Sequence, residues 1–242
     1  MSVDFTFTKE VLEARLKELG REFRRQNGKN AHAEIVLIGG ASIIINYGFR
    51  DMTTDADALI YTDAAMKDAI NRVGDNNGLP NGWLNEDFKA TKSFTDKLRG
   101  ISVYYKTFSN ILQIRTVAAE YLIAMKAMSG RRYKYDLSDI VGILWAHKEQ
   151  RNAISREAVE RAIAQLYGNE LLPAASALLL DALFSDDVDY SRLYMETREK
   201  EREAKDLLLE VHEQQPGLIN RDNLDMVIAE AIQKRDKEKN AL

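Results

Sequence analysis

The chain has no cysteine, which excludes disulfides, thiolate nucleophiles and sulfur-ligated zinc. Its three histidines, His32, His147 and His212, stand far apart without ligand spacing, so the sequence gives a redox or zinc reading poor support. Neither sign of charge dominates: the formal net charge is -4, with a sequence pI near 5.6, so there is no global basic field. A nucleic-acid contact would therefore depend on a local patch. Long apolar runs are missing too. The most apolar later stretch, Ala174 to Leu183, is interrupted by Ser176 and Asp181, and Met1 to Glu10 holds no basic segment followed by an apolar one. The expectation is a cytoplasmic protein that neither enters a membrane nor carries a signal peptide. There is no internal repeat or low-complexity segment.

What is present is an ordinary globular composition, 45% hydrophobic over 242 residues, enough for one large domain or two modest ones. Val11, Leu12, Leu16, Leu19 and Phe23 recur at helical spacing and predict an amphipathic helix over 8–26. Glu34 to Ile38 reads as a short strand, Gly39-Gly40 as a turn, and Ala41 to Tyr47 as a buried helix stopped at Gly48. Thr53 to Tyr61 predicts a second strand and Ala64 to Val73 a helix, with a Gly- and Asn-rich loop from Gly74 to Gly82. Strands at Ile101 to Lys106 and Ile111 to Thr116 suit a hairpin. After Val117 strand signals stop, and helical patterns follow at 119–129, 137–148, 156–167, 171–184, 191–214 and 223–237. The fold class predicted is α/β (α+β), a mixed sheet with flanking helices over 1–117, followed by an α-helical domain over 118–242.

Two local features carry chemistry. Asp55 and Asp57, two apart on a strand, put both carboxylates on one face at roughly 6 to 7 Å between Cα atoms. Such a pair suits a hard divalent cation such as Mg²⁺ or Mn²⁺, held by carboxylates and substrate phosphates. A solvent-facing pair on an edge strand is the alternative. Gly39 and Gly40 let the backbone approach a ligand, and the helix that follows aims free N–H groups at an anion, with Ser42 as a further hydroxyl donor. A plain strand-to-helix turn is the alternative here. Together the two features are parts that phosphoryl-transfer sites reuse.

Leu37-Ile38-Gly39-Gly40-Ala41-Ser42, then Arg50, Thr53, Thr54 and Asp55-Ala56-Asp57, resemble the signature of the DNA-polymerase-β-like nucleotidyltransferase superfamily. Within it the chain looks like the AbiEii-type branch of type IV toxin–antitoxin systems. That branch carries a later Lys followed by Arg- and Asp-rich residues; here Tyr121-Leu122-Ile123-Ala124-Met125-Lys126, Gly130-Arg131-Arg132 and Asp136-Leu137-Ser138-Asp139-Ile140 match it. Trp83-Leu84-Asn85 is similar to a subgroup of bacterial relatives without an assigned function. The resemblance spans about 34–144.

The resemblance implies transfer of a nucleoside monophosphate from a metal-bound nucleoside triphosphate to a hydroxyl of RNA, protein or a small molecule, with a cognate antitoxin as a partner. It implies metal ligation by Asp55 and Asp57, phosphate binding by Gly39, Gly40, Ser42, Lys126 and Arg131, and catalytic roles for Lys126 and Asp136 beside the Asp pair. Without it, Lys126 reads as a side chain snorkelling to water, and Asp136 and Asp139 as helix-capping acids at the N-cap and third position. Arg131, Arg132, Lys134, Arg21, Arg24 and Arg25 are candidates for contact with a polyphosphate or RNA backbone, or plain surface. The chain departs from the superfamily pattern twice: the spacer from Gly40 to Asp55 holds fourteen residues, about one more than usual, and 111–116 offers only Gln113 and Arg115 where many members place a third carboxylate. The second departure keeps open a nucleotide- or partner-binding module without turnover. A helical interaction protein with Asp55 and Asp57 merely on its surface is the remaining rival.

Overall fold

The computed structural model describes residues 5–62, 64–185, 187–215, 217, 218, 223, 224, 226–228, 230 and 231. The helix expected over 223–237 lies largely outside the described residues. The chain forms two compact units, Met1–Met125 with Glu157–Asn169, and Lys126–Arg156 with Glu170–Leu242.

The first unit opens with α1 (Lys9–Asn27), started by the Thr8 hydroxyl accepting from the Val11 amide. Its buried stripe, Leu12, Leu16, Leu19 and Phe23, is the one the spacing predicts. Then come β1 (Ala33–Leu37), α2 (Gly39–Asn46), β2 (Ala56–Thr62), α3 (Lys67–Asn77), β3 (Leu84–Asn85), β4 (Ser102–Phe108) and β5 (Leu112–Val117). The five strands form one mixed sheet in the order β3-β2-β1-β5-β4. β1 is antiparallel to β2 and parallel to β5, and β3 lies parallel to β2 at the edge. β4 and β5 form the expected hairpin. Its turn places Ser109 and Asn110 at positive φ, with the Ile111 amide bonded to the Phe108 carbonyl at 3.2 Å, as tight hairpins require.

Alternation along the strands gives the sheet two faces. Ala33, Ile35, Leu37, Ala56, Ala58, Leu112 and Ile114 join one hydrophobic core with α1 and α3 residues. Glu34, Asp57, Tyr61, Gln113 and Arg115, paired by register or one residue off it, fall on the other face. α3 runs into the stretch expected as a loop, because Asn77 bonds both the Val73 carbonyl (2.8 Å) and Glu18 (2.9 Å) before Gly78 ends the helix at φ +62°. β3 was not predicted. Trp83 holds it in place, buried, with its indole N–H donating to the Ile70 carbonyl at 3.0 Å.

The continuous part of the first unit ends within α4 (Ala119–Ser129), at Met125, and α6 (Arg156–Tyr167) rejoins it from Glu157. The second unit holds α5 (Asp136–Glu149), α7 (Ala174–Leu183) and α8 (Tyr190–Gln214), with α8 packed on α5. Among the described residues every element after Val117 is helical. No helix among them is long and apolar enough to cross a membrane.

Candidate functional site

Antiparallel pairing decides where the glycine turn lies. The β1–β2 ladder runs to Leu37 opposite Ala58, and the Ile38 amide then donates to the Asp57 carbonyl at 2.8 Å. The residues that leave β1 are therefore beside those that enter β2, although fourteen residues separate Gly40 from Asp55 in sequence. Gly39 takes φ +52°, a backbone that other residues resist, and a Cβ there would stand 3.8 Å from Asp57 Oδ2. Gly40 permits a closer approach: a Cβ would collide with Thr53 Oγ1 and come within 3.1 Å of Arg50 Nη2. α2 consequently starts at Gly39, two residues before the predicted start, so the amides of its first turn begin inside the glycine pair.

β2 starts three residues later than predicted. Thr53 is already bonded through both backbone groups to Phe7, at 2.7 and 2.9 Å, and the β1 ladder takes over only from Ala56. Asp55 stands just ahead of the strand and Asp57 within it, both half-buried, while Ala56 and Ala58 are fully buried in the core. The Thr53 hydroxyl lies 3.5 Å from Asp55 Oδ1, and Asp57 is paired in register with Asn85 of β3. Arg50, anchored by its Nε donating to the Met52 carbonyl at 3.0 Å, brings a cation over the start of α2. Sequence reasoning placed Arg50 in the motif but gave it no role; the signal was its position in the spacer.

Ser42 sits differently from the other glycine-turn residues. Its side chain is fully buried, its hydroxyl accepts from the Val117 amide at 3.3 Å, and its own amide donates to the Ile38 carbonyl. It ties α2 to the end of β5. β5 itself carries Gln113 and Arg115 on the Asp57 face and no carboxylate, and Arg115 is engaged with Ser102, Nε to Oγ at 2.7 Å.

In the second unit Lys126, Arg131, Asp136 and Asp139 form one buried cluster. Lys126 Nζ lies 2.8 Å from Asp136 Oδ1 and 2.9 Å from Asp139 Oδ2, and both carboxylate side chains are fully buried. Snorkelling is thus corrected: the ammonium ends on two buried acids, not in water, because the adjoining turn folds them under it. The capping account of Asp136 is corrected as well. Asp136 is the first residue of α5, Tyr135 holds the N-cap position, and the Asp136 carboxylate accepts from Arg131 Nε (2.8 Å), the Arg131 amide (3.3 Å) and Lys126. Burial raises the Asp136 carboxyl, but the Lys126 ammonium and Arg131 guanidinium outweigh burial and hold it well below the ordinary carboxylate range. The cap comes from α8, where Glu201 accepts from the Leu137 and Ser138 amides.

Of the other basic candidates, Arg24 donates to the Ser109 carbonyl and Arg25 pairs with Glu22, while Arg132 and Lys134 are exposed. Among the described residues no three His, Asp or Glu side chains gather as a metal-binding group. Asp55 and Asp57 offer hard oxygen donors to a cation whose remaining ligands would be water and phosphate oxygens, and the glycine backbone beside Asp57 leaves room for them.

Against known proteins, the family described as nucleotidyltransferase of unknown function (DUF6036) matches residues 14–163, more than half of the chain. No curated protein and no solved structure matches it. The matched stretch runs from α1 into α6 and takes in the glycine turn, the Asp pair and the Lys126 cluster. On that extent of agreement, the chain belongs to the nucleotidyltransferase family DUF6036.

Proposed function

We propose that the protein transfers a nucleoside monophosphate from a nucleoside triphosphate to a hydroxyl acceptor. The acceptor oxygen forms a bond to the α-phosphorus, the bond to the bridging oxygen breaks, pyrophosphate leaves and the hydroxyl proton is released. The observation that carries the reading is the hydrogen bond from the Ile38 amide to the Asp57 carbonyl, which sets an N-terminal helix turn built on Gly39 and Gly40 beside two carboxylates. Amides of that turn suit phosphate oxygens, and the carboxylates suit the cation that accompanies a triphosphate. Mg²⁺ or Mn²⁺, held by Asp55 and Asp57, would supply Lewis-acid stabilisation of charge on the phosphoryl group.

Arg50 adds a guanidinium at the start of α2, suited to planar, bidentate contact with a phosphate. Ser42 acts by fastening α2 to β5. Lys126 offsets negative charge that develops in the transition state, Asp136 and Asp139 hold and orient its ammonium, and Arg131, partly exposed beside them, contributes to polyphosphate binding. The finer assignment to the AbiEii-type branch, with a toxin's role, an RNA or protein acceptor and a cognate antitoxin, belongs to the same proposal.

The test is incubation with each α-labelled nucleoside triphosphate, Mg²⁺ and total cellular RNA and protein. Label appearing in one pool, and lost with Asp57→Asn, supports transfer. Triphosphate binding by calorimetry with no labelled product supports the second reading, a binding module without turnover, which the absence of any carboxylate from β5 favours. Neither binding nor labelling refutes both.

A further inference from the structure

Glu201, which no sequence motif singles out, is a nearly inaccessible carboxyl group, 2% exposed, in the middle of a helix with dense mixed charge. Its Oε1 accepts from the Leu137 amide at 2.7 Å and the Ser138 amide at 3.4 Å, and its Oε2 accepts from the Ser138 amide at 3.3 Å. Those amides belong to the first turn of α5, where Tyr135 at the N-cap offers no side-chain bond. A residue of α8 therefore does what a local Ser, Thr, Asp or Asn ordinarily does. The same turn carries Asp136 and Asp139, whose carboxylates hold Lys126.

We propose that Glu201 is the positioning residue of the Lys126 cluster: by fixing the first turn of α5 it sets Asp136 and Asp139, and through them the Lys126 ammonium. The inference rests on the nucleotidyl-transfer reading for its catalytic consequence, though not for its geometry. A surface cap would cost little to replace. This one is buried against two further acids, so its protonation state is part of the arrangement. Burial pushes the Glu201 carboxyl up to about 8, the Ser138 and Leu137 amides oppose the rise, and the Asp139 and Asp136 charges add to it. The charged groups that act on it are Asp139 and Asp136 of α5, which in turn hold Lys126 of α4 and Arg131 of the turn before α5, while on α8 itself the Arg198 guanidinium stacks 4.4 Å over the Tyr135 ring. Two cations, Lys126 and Arg131, already balance the two aspartates. With Glu201 neutral that balance stands; once Glu201 ionises, a third buried negative charge acts on the two aspartates that hold Lys126.

The test compares the wild type with Glu201→Gln and Glu201→Ala. Glutamine reproduces the neutral acid and its acceptor oxygen, while alanine leaves the Leu137 and Ser138 amides without their partner. Label transfer is measured from about pH 6 to about pH 9.5, with kcat and KM separated. The expected result is rescue by the conservative variant. Glu201→Gln keeps kcat within about threefold and loses the alkaline decline that the wild type shows as pH passes through about 8, whereas Glu201→Ala loses about tenfold or more in kcat with KM little changed. If Glu201→Ala does not fold, Glu201→Asp, one methylene too short to reach both amides, takes its place. Equal kcat in all variants overturns the proposal, as does an alkaline decline that survives in Glu201→Gln. If the wild type transfers no label, the functional reading fails, and ¹⁵N spectra of the Lys126 ammonium decide the positioning separately. A Lys126 signal that moves in Glu201→Ala and returns in Glu201→Gln supports it; a signal identical in all three refutes it.

Discussion

Replacing Lys126 by methionine removes one charge from the middle of a buried cluster while keeping much of the side chain's apolar volume. In the wild type the ammonium bonds to two carboxylates at 2.8 and 2.9 Å, and both acids are fully buried. Asp136 keeps Arg131 as a partner at 2.8 Å after the change, while the cluster as a whole loses one of its buried cations. Breaking a buried pair by deleting one member costs about 3–5 kcal/mol, because the charge left behind has lost both water and partner. At about 2–4 °C per kcal/mol for a chain of this size, Lys126→Met should lower the melting temperature by about 6–20 °C in differential scanning calorimetry. The same reasoning requires partial recovery when the acids are neutralised too. The triple variant Lys126→Met, Asp136→Asn, Asp139→Asn should melt above Lys126→Met alone, since amides are far cheaper to bury than unpaired carboxylates. A Lys126→Met protein that melts within about 1 °C of the wild type, or a triple variant less stable than the single one, would refute a buried ion pair and return Lys126 to a water-facing side chain.

Three further outcomes are expected. Asp57→Asn, and more so the double change with Asp55→Asn, should leave the melting temperature within a few degrees while weakening Mg²⁺-dependent triphosphate binding by about tenfold or more in calorimetry, because an amide keeps the shape but loses the charge that holds a hard cation. Unchanged binding with a large fall in stability would make the pair structural. Gly40→Ala should destabilise by about 1–3 kcal/mol through overpacking against Thr53, seen as a lowered urea midpoint, and should also weaken triphosphate binding; Gly48→Ala, where a Cβ meets open space, should do neither. Asp136 is held below its ordinary range in the fold, so its contribution to stability is complete above about pH 4 and is lost as pH falls from there through the folded value. Acid titration of the urea midpoint should therefore be steep below about pH 4 in the wild type and shallower in Asp136→Asn.

Much of the sheet was legible because its strands are short apolar runs bounded by turn residues. The spacing in α1 and the alternation of Ala56 and Ala58 with Asp55 and Asp57 gave their buried faces directly. Trp83-Leu84-Asn85 was visible as a motif but not as a strand, since two residues of β3 carry no periodicity and are placed by pairing with β2 and by the tryptophan hydrogen bond to α3. The proximity of the Gly39-Gly40 turn to the Asp pair was legible only through the resemblance, because nothing local measures how a fourteen-residue excursion closes; antiparallel register closes it. Ser42 looked like a donor at a helix start, yet helix rotation carries its hydroxyl toward β5. Glu201 was invisible for a different reason: among many acids on α8, only packing against α5 distinguishes one.

The return of α6 to the first unit limits how the chain can be divided. Tyr167 donates to the Ser93 carbonyl at 2.8 Å in a buried position, and Lys97 reaches the Gln165 carbonyl at 2.5 Å, so residues met only after α5 complete the unit that holds the sheet. A chain cut after β5 or after α4 would leave the sheet unit with an apolar gap where Val159, Ala162 and Leu166 belong. The two units are thus interleaved in sequence. A chimera that exchanged everything after α4 would exchange part of the sheet unit's own packing with it.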